Sequence, residues 1–191
     1  MSRRQTQTLR MLPIGAALLL PLLLAGCGPT RDQFAPACPT PAFLGVAADV
    51  TEFRPHPGGG HDLTDLILAG RVTGVGGKCA PGETAATVKA EARVRMSFTR
   101  GPAMIGNTAD VPYFLAVTEG NRILDKVVRT VRVTFPPNVD RITIVGDPIA
   151  LLLPVTPTKS AAAYSVLVGF QLTQAELDFN RSQQGQPGNQ P

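Results

Sequence analysis

The chain's two histidines fall in one short segment, His56-Pro57-Gly58-Gly59-Gly60-His61-Asp62, with Asp65 close behind. Two imidazoles and two carboxylates within ten residues are donors of the kind that bind Zn²⁺ or Cu²⁺. Against this, ordering three consecutive glycines costs backbone entropy, and the spacing matches no rigid ligand motif. The segment reads first as an exposed hairpin loop, and no metal or other cofactor is expected; His56, His61, Asp62 and Asp65 are the alternative, a metal- or small-ligand-binding module. The glycines also invite comparison with a phosphate cradle, but no Lys-Ser/Thr follows them and no βαβ pattern surrounds them. Hydrolytic chemistry has less to stand on. No GxSxG elbow occurs, and Asp62 with Asp65, or Glu91 with Asp110, are acid–base pairs that nothing in the sequence brings into one cleft. An enzyme is not expected; a hydrolase would need a deep pocket with converging polar groups.

The thiols are more informative. Residues 1–10 are polar and carry Arg3, Arg4 and Arg10; residues 11–24 are apolar throughout; Ala25, Gly26 and Cys27 follow. This is the charged, apolar, small-residue order of a secretory signal peptide. The apolar stretch of 14 residues is shorter than the roughly 20 that span a bilayer as a helix, and it contains Pro13 and Pro21. Leu24-Ala25-Gly26-Cys27 resembles the lipobox of bacterial lipoproteins. The resemblance implies cleavage between Gly26 and Cys27, a diacylglycerol thioether on Cys27, and an acylated (palmitate-type) amino group. Two or three acyl chains hold a protein on a membrane, each CH₂ contributing about 0.8 kcal/mol. Gly28, where an Asp would favour retention at the inner membrane, implies the periplasmic face of the outer membrane in a Gram-negative cell, with the inner membrane as the alternative.

Three cysteines are an odd number for an exported protein. Lipidation of Cys27 leaves Cys38 and Cys79, and an oxidising periplasm favours a disulfide between them over two free thiols. Such a bond would close a loop of about 42 residues and stabilise the fold by about 3–4 kcal/mol.

Charge narrows the partners. Of 18 basic residues, three lie before residue 11; the remaining 15 face 14 acidic ones, all of which follow the apolar stretch. The exported body is nearly neutral, so nucleic acid is not expected as a partner. The elements that would position any site are short. With 19 Gly, 18 Pro, no Trp and few aromatics, the composition excludes a helical bundle or coiled coil. Residues 28–41 hold Pro29, Pro36, Pro39 and Pro41 and read as an extended tether. Val88–Phe98 alternates without a break: Val88, Ala90, Ala92, Val94, Met96 and Phe98 on one face, Lys89, Glu91, Arg93, Arg95 and Ser97 on the other. That second face is a basic stripe interrupted by Glu91, read as solvated and able to touch lipid headgroups. Tyr164–Leu172 repeats the alternation, and Val127–Phe135 does so with Arg129 on the apolar face, which predicts a bulge or an edge position. Further strands are expected at Leu44–Phe53, Leu63–Val75, Tyr113–Thr118 and Arg141–Val145, with Ala150–Pro154 as a continuation. Gly120-Asn121 reads as a tight hairpin connection. Thr173-Gln174-Ala175-Glu176 has capping-box spacing and predicts one short helix through Arg181.

The expected organisation is a signal peptide at 1–26, a Pro-rich tether at 27–41, a β domain at 42–181 and a disordered tail at 182–191. About seven strands suggest a two-layer antiparallel β-sandwich that resembles immunoglobulin or fibronectin type III domains in plan, without their Cys…Trp…Cys signature. A small β-barrel is the competing architecture. The expected role is that of a non-enzymatic envelope lipoprotein, held on the membrane by its lipid anchor and recognising another envelope protein through edge strands and loops.

Overall fold

The computed structural model describes residues 36–55 and 62–184. Gly26, Cys27, His56 and His61 lie outside the described residues, as do the expected signal peptide and most of the tether. Nine strands and one α-helix are present among the described residues: β1 (Thr40–Phe43), β2 (Asp49–Phe53), β3 (Leu66–Pro81), β4 (Thr87–Arg100), β5 (Thr108–Glu119), β6 (Arg122–Thr134), β7 (Arg141–Val145), β8 (Ile149–Pro154), β9 (Ser165–Phe170) and α1 (Gln174–Gln184). They form two open sheets, one ordered β1-β9-β5-β6, the other β2-β3-β4 with both β7 and β8 on the far side of β4. Neither sheet closes on itself, so the barrel alternative is overturned, and the strands number nine rather than seven.

Alternation builds β4. Val88, Ala90, Ala92, Val94, Met96 and Phe98 are all buried while Lys89, Arg93 and Arg95 are exposed. One edge of the strand pairs with β3 from Leu68↔Arg100 to Pro81↔Val88. The other edge is shared: β7 covers Arg95–Thr99 and β8 covers Thr87–Ala92. β8 therefore continues the line of β7, interrupted by Gly146-Asp147-Pro148, where Pro148 has no N–H to give to a ladder. β3 runs six residues past the expected Val75. Gly76-Gly77 carries no hydrophobic alternation, yet it remains strand because the chain lies against β4, where a Cβ on Gly77 would collide with the carbonyl oxygen of Glu91.

The β5–β6 hairpin turns at Gly120-Asn121, with Gly120 at φ 56°, a conformation that favours glycine. β6 is an edge strand, as Arg129 required; the register irregularity lies elsewhere, between Val117 and Thr118. The expectation of purely antiparallel sheets is corrected at one pair. β1 lies parallel to β9, from Thr40↔Ser165 to Phe43↔Val168, so the end of the expected tether is itself a strand. A parallel pair needs a long crossover, and here nearly the whole domain provides it. Pro41 is tolerated because β1 is an edge.

The two sheets share one apolar core. Leu68, Val94, Met96 and Phe98 from the five-stranded sheet cluster with Val111, Leu115, Val168 and Phe170 from the four-stranded one. Across it, the rings of Phe98 and Phe170 meet edge to face at 5.9 Å. A smaller cluster of Ala47, Phe114 and Ala116 covers part of the other face of the four-stranded sheet.

The Cys38–Cys79 disulfide is present, with the two Cα atoms 5.7 Å apart. It joins the residue two before β1 to β3, and so links the two sheets covalently. The capping box also forms: the Thr173 N–H donates to Glu176 Oε2 at 2.6 Å, and the Glu176 N–H donates to Thr173 Oγ1 at 3.3 Å. The helix continues to Gln184, three residues beyond the expected end, so 182–184 are helix rather than tail. Asn180 is buried and donates from Nδ2 to the carbonyls of Val46 and Asp49, at 2.9 and 2.8 Å, while Phe179 meets Phe53 edge to face at 5.2 Å. These contacts seat α1 beside β2.

Candidate functional site

A broad open trench lies on the outer face of the five-stranded sheet. There, every second residue of β2, β3, β4 and β7 points away from the core, and α1 stands as a wall along one side. The result is a trench of about 970 Å³ floored by short side chains, among them Thr51, Ala69, Ser97 and Thr99. Arg71 donates from Nε and Nη2 to the two carboxylate oxygens of Asp49, at 2.6 and 3.2 Å, across the β2–β3 pair. This bidentate bond, and the charge behind it, hold the guanidinium above its ordinary pKa. On the far side Arg141 donates from Nε to Thr99 Oγ1 at 3.2 Å.

Towards the disulfide the same face changes character. Cross-strand register places Lys78 beside Glu91, Lys89 beside Leu152 and Arg95 beside Val145. Glu91 lies 3.6 Å from the Lys78 ammonium and 3.4 Å from the Arg93 guanidinium, while Lys89 reaches Glu83 at 2.9 Å. The hydrogen bond from Lys89 and its positive charge keep the Glu83 carboxyl below its usual range. A smaller, mostly apolar cleft of about 210 Å³ adjoins the disulfide, lined in part by Pro39, Pro41, Val75 and Leu151.

The second exposed feature is the free edge of β6. Among the described residues no strand pairs with its outer side. Ile123, Leu124 and Val128 are exposed on it, and only Val131 and Val133 of this strand are buried. Its cations are partly engaged. Arg122 pairs with Glu119, which also binds Lys159; Arg132 holds Asp110 through two bonds of 2.9 Å; and Lys126 lies 4.6 Å over the Phe114 ring.

Of the residues singled out in the sequence, the structure brings Cys38 and Cys79 together. Asp62 accepts a hydrogen bond from the Thr64 N–H at 3.1 Å, capping the 3-10 turn Leu63–Asp65. Asp65 ends that turn, and its carbonyl accepts from the Arg54 N–H at 2.8 Å. Among the described residues, no group of three His, Cys, Asp or Glu side chains is placed to hold a metal ion. Glu91 and Asp110 are not brought together: they stand on different sheets, each engaged by arginine. The Lys89, Arg93 and Arg95 stripe is exposed on one face, as its alternation required.

Sequence reading missed the Asp49–Arg71 pair, because residues 22 apart meet only through the β2–β3 register. It also missed Asn180, for which a signal existed: three residues after Leu177, it falls on the same side of α1 and interrupts an inward-facing stripe. No helix among the described residues is long and apolar enough to cross a membrane. Compared with protein-family models, with curated proteins and with solved structures, the chain matches none.

Proposed function

We propose that this chain is an envelope lipoprotein, acylated at Cys27 and exposed to the periplasm at the outer membrane, with a recognition role rather than a catalytic one. The observation that carries the reading is the Cys38–Cys79 bond. It calls for an oxidising compartment and accounts for two of the three thiols, leaving Cys27 at the end of the Leu24-Ala25-Gly26-Cys27 motif as the thiol available for acylation. The two sheets and their shared core support a β-sandwich of immunoglobulin-like plan as the displayed body. The free edge of β6, with Ile123, Leu124 and Val128 exposed along it, supports strand addition by an envelope protein as the mode of recognition. The acyl chains would raise the local concentration of that edge at the membrane.

The anchor is tested by replacing Cys27 with Ser in cells and measuring the mass of the N-terminal fragment. The wild-type chain should begin at Cys27 and carry acyl chains, whereas the variant should accumulate as an uncleaved, unacylated precursor. Equal processing and equal membrane retention of the two proteins would remove the reading. The edge is tested with a photo-crosslinker placed at Val128: a defined adduct should form there and be absent when the crosslinker stands at Thr84, on the β3–β4 turn.

A further inference from the structure

The outer face of the five-stranded sheet concentrates charge that the whole body lacks. It carries Arg71, Lys78, Lys89, Arg93, Arg95 and Arg141, opposed by Asp49, Glu91 and, at its margin, Glu83. After residue 26 the chain has only one more basic than acidic side chain, so the remainder of the body is net negative. Such a molecule is a dipole, and near a negatively charged surface it turns this face inward.

Two further observations bear on the surface. Leu152 and Val145, 62% and 49% exposed, stand on this face beside Lys89 and Arg95, a mixture of aliphatic and cationic groups suited to the interfacial zone of a bilayer. The length of the anchor segment permits this contact. Cys38 is bonded to Cys79, at the same end of β3 as Lys78 though on the core-facing side of that strand. Ten residues lie between Cys27 and Cys38, a reach of at most about 40 Å when fully extended.

We propose that this face, from Lys78 and Lys89 through Arg93 and Arg95 with Leu152 and Val145 among them, rests on the anionic phospholipid headgroups of the membrane that holds the acyl anchor. The inference rests on acylation of Cys27 as proposed above. It sets the orientation of the body: the five-stranded sheet lies against the lipid, and its attraction is electrostatic and screened by salt.

The test uses the full acylated chain reconstituted into phosphatidylglycerol or phosphatidylcholine vesicles containing a spin-labelled quencher lipid. A fluorophore is placed on the new thiol of Leu152→Cys, or on Ile105→Cys in the loop between β4 and β5, where residue 105 is 93% exposed beyond the far end of β4. In phosphatidylglycerol the label at 152 should be quenched several-fold more than that at 105. The contrast should collapse in phosphatidylcholine, at raised salt, and in the Lys89→Glu/Arg93→Glu double variant. Raised salt gives the reading on an unaltered charge pattern, so misfolding of the double variant could not account for it. Equal quenching at 152 and 105 in phosphatidylglycerol, or equal quenching at 152 in the two lipids, would overturn the proposal. Failure of the anchor is seen separately, as a missing acyl mass. An unacylated chain that still binds phosphatidylglycerol vesicles through residue 152 would retain the face and discard the anchor; one that does not bind them would discard both.

Discussion

β4 and β6 are of nearly equal length, 14 and 13 residues, and both are rich in alternating aliphatic and basic side chains, yet they differ in almost every physical respect. β4 is flanked on both sides, by β3 and by the β7–β8 line, and six of its side chains are buried. β6 is flanked on one side only, and two are buried. A strand's pattern determines which side chains could face a core, whereas its neighbours determine whether they do. β6 keeps exposed aliphatics at Ile123 and Val128 and spaces Arg122, Asp125, Lys126 and Arg129 among them, the charge spacing that discourages indiscriminate edge pairing while leaving backbone groups open to a chosen partner. The short edge strand β2 takes another course, because α1 is seated beside it by Asn180 and Phe179.

Substitutions can break or sharpen this contrast. The largest effect is expected from Val94→Asp. The side chain is fully buried, so the carboxylate would have no partner, and the loss should exceed about 4 kcal/mol, enough to unfold the domain. Its neighbour change Arg95→Asp should shift the urea midpoint only slightly. Similar midpoints for the two would invalidate the assignment of faces on β4. Next, Cys38→Ala/Cys79→Ala should cost about 3–4 kcal/mol in chemical denaturation, because the loop it opens restores freedom to the unfolded chain. A smaller loss, about 1–3 kcal/mol, is expected for Asn180→Ala, which strips the Val46 and Asp49 carbonyls of their donor and frees β2 from its helix. On β6, Val128→Asp should stay within about 0.5 kcal/mol of wild type; a β4-sized loss would mean the edge is covered after all.

The smallest expected effect is a gain. Burial, with help from the nearby Glu176 carboxylate, raises the Glu52 carboxyl above its ordinary value of 4.5. The folded protein therefore binds that proton more tightly than the unfolded one. The charged form destabilises the fold at pH above the raised value, and the penalty is relieved as pH falls through it towards 4.5. Glu52→Gln should accordingly melt at a higher temperature than wild type near neutral pH and lose that advantage in acid. An advantage that persisted unchanged below the ordinary carboxyl range would point to packing rather than charge.

Legibility in the sequence followed the range of the interaction. β4, β7, the β5–β6 turn and the capping box were readable because alternation, turn chemistry and capping act within a dozen residues. β7 was placed to the residue, and the interrupted β7–β8 line was readable as a continuation. The Gly-rich end of β3 was missed because Gly76 and Gly77 have no side chains to alternate, although their neighbours on β4 keep them extended. The first half of β1, Thr40 and Pro41, reads as tether because so short a segment with a proline carries no pattern, and its partner lies more than a hundred residues away. The outer-face trench was hidden for the same reason: Asp49, Arg71, Ser97 and Arg141 come from four strands and meet only through register.

The bond between Cys38 and Cys79 also decides how the molecule bears a pull. A force on the segment preceding Cys38 would otherwise fall first on β1, whose ladder to β9 is only four residues long and would peel away one pair at a time. With the sulfurs joined, tension divides at Cys38 and passes into β3, a 16-residue strand paired with β4 along 13 positions. The shortest ladder among the described strands is thereby shielded from a pull on that segment.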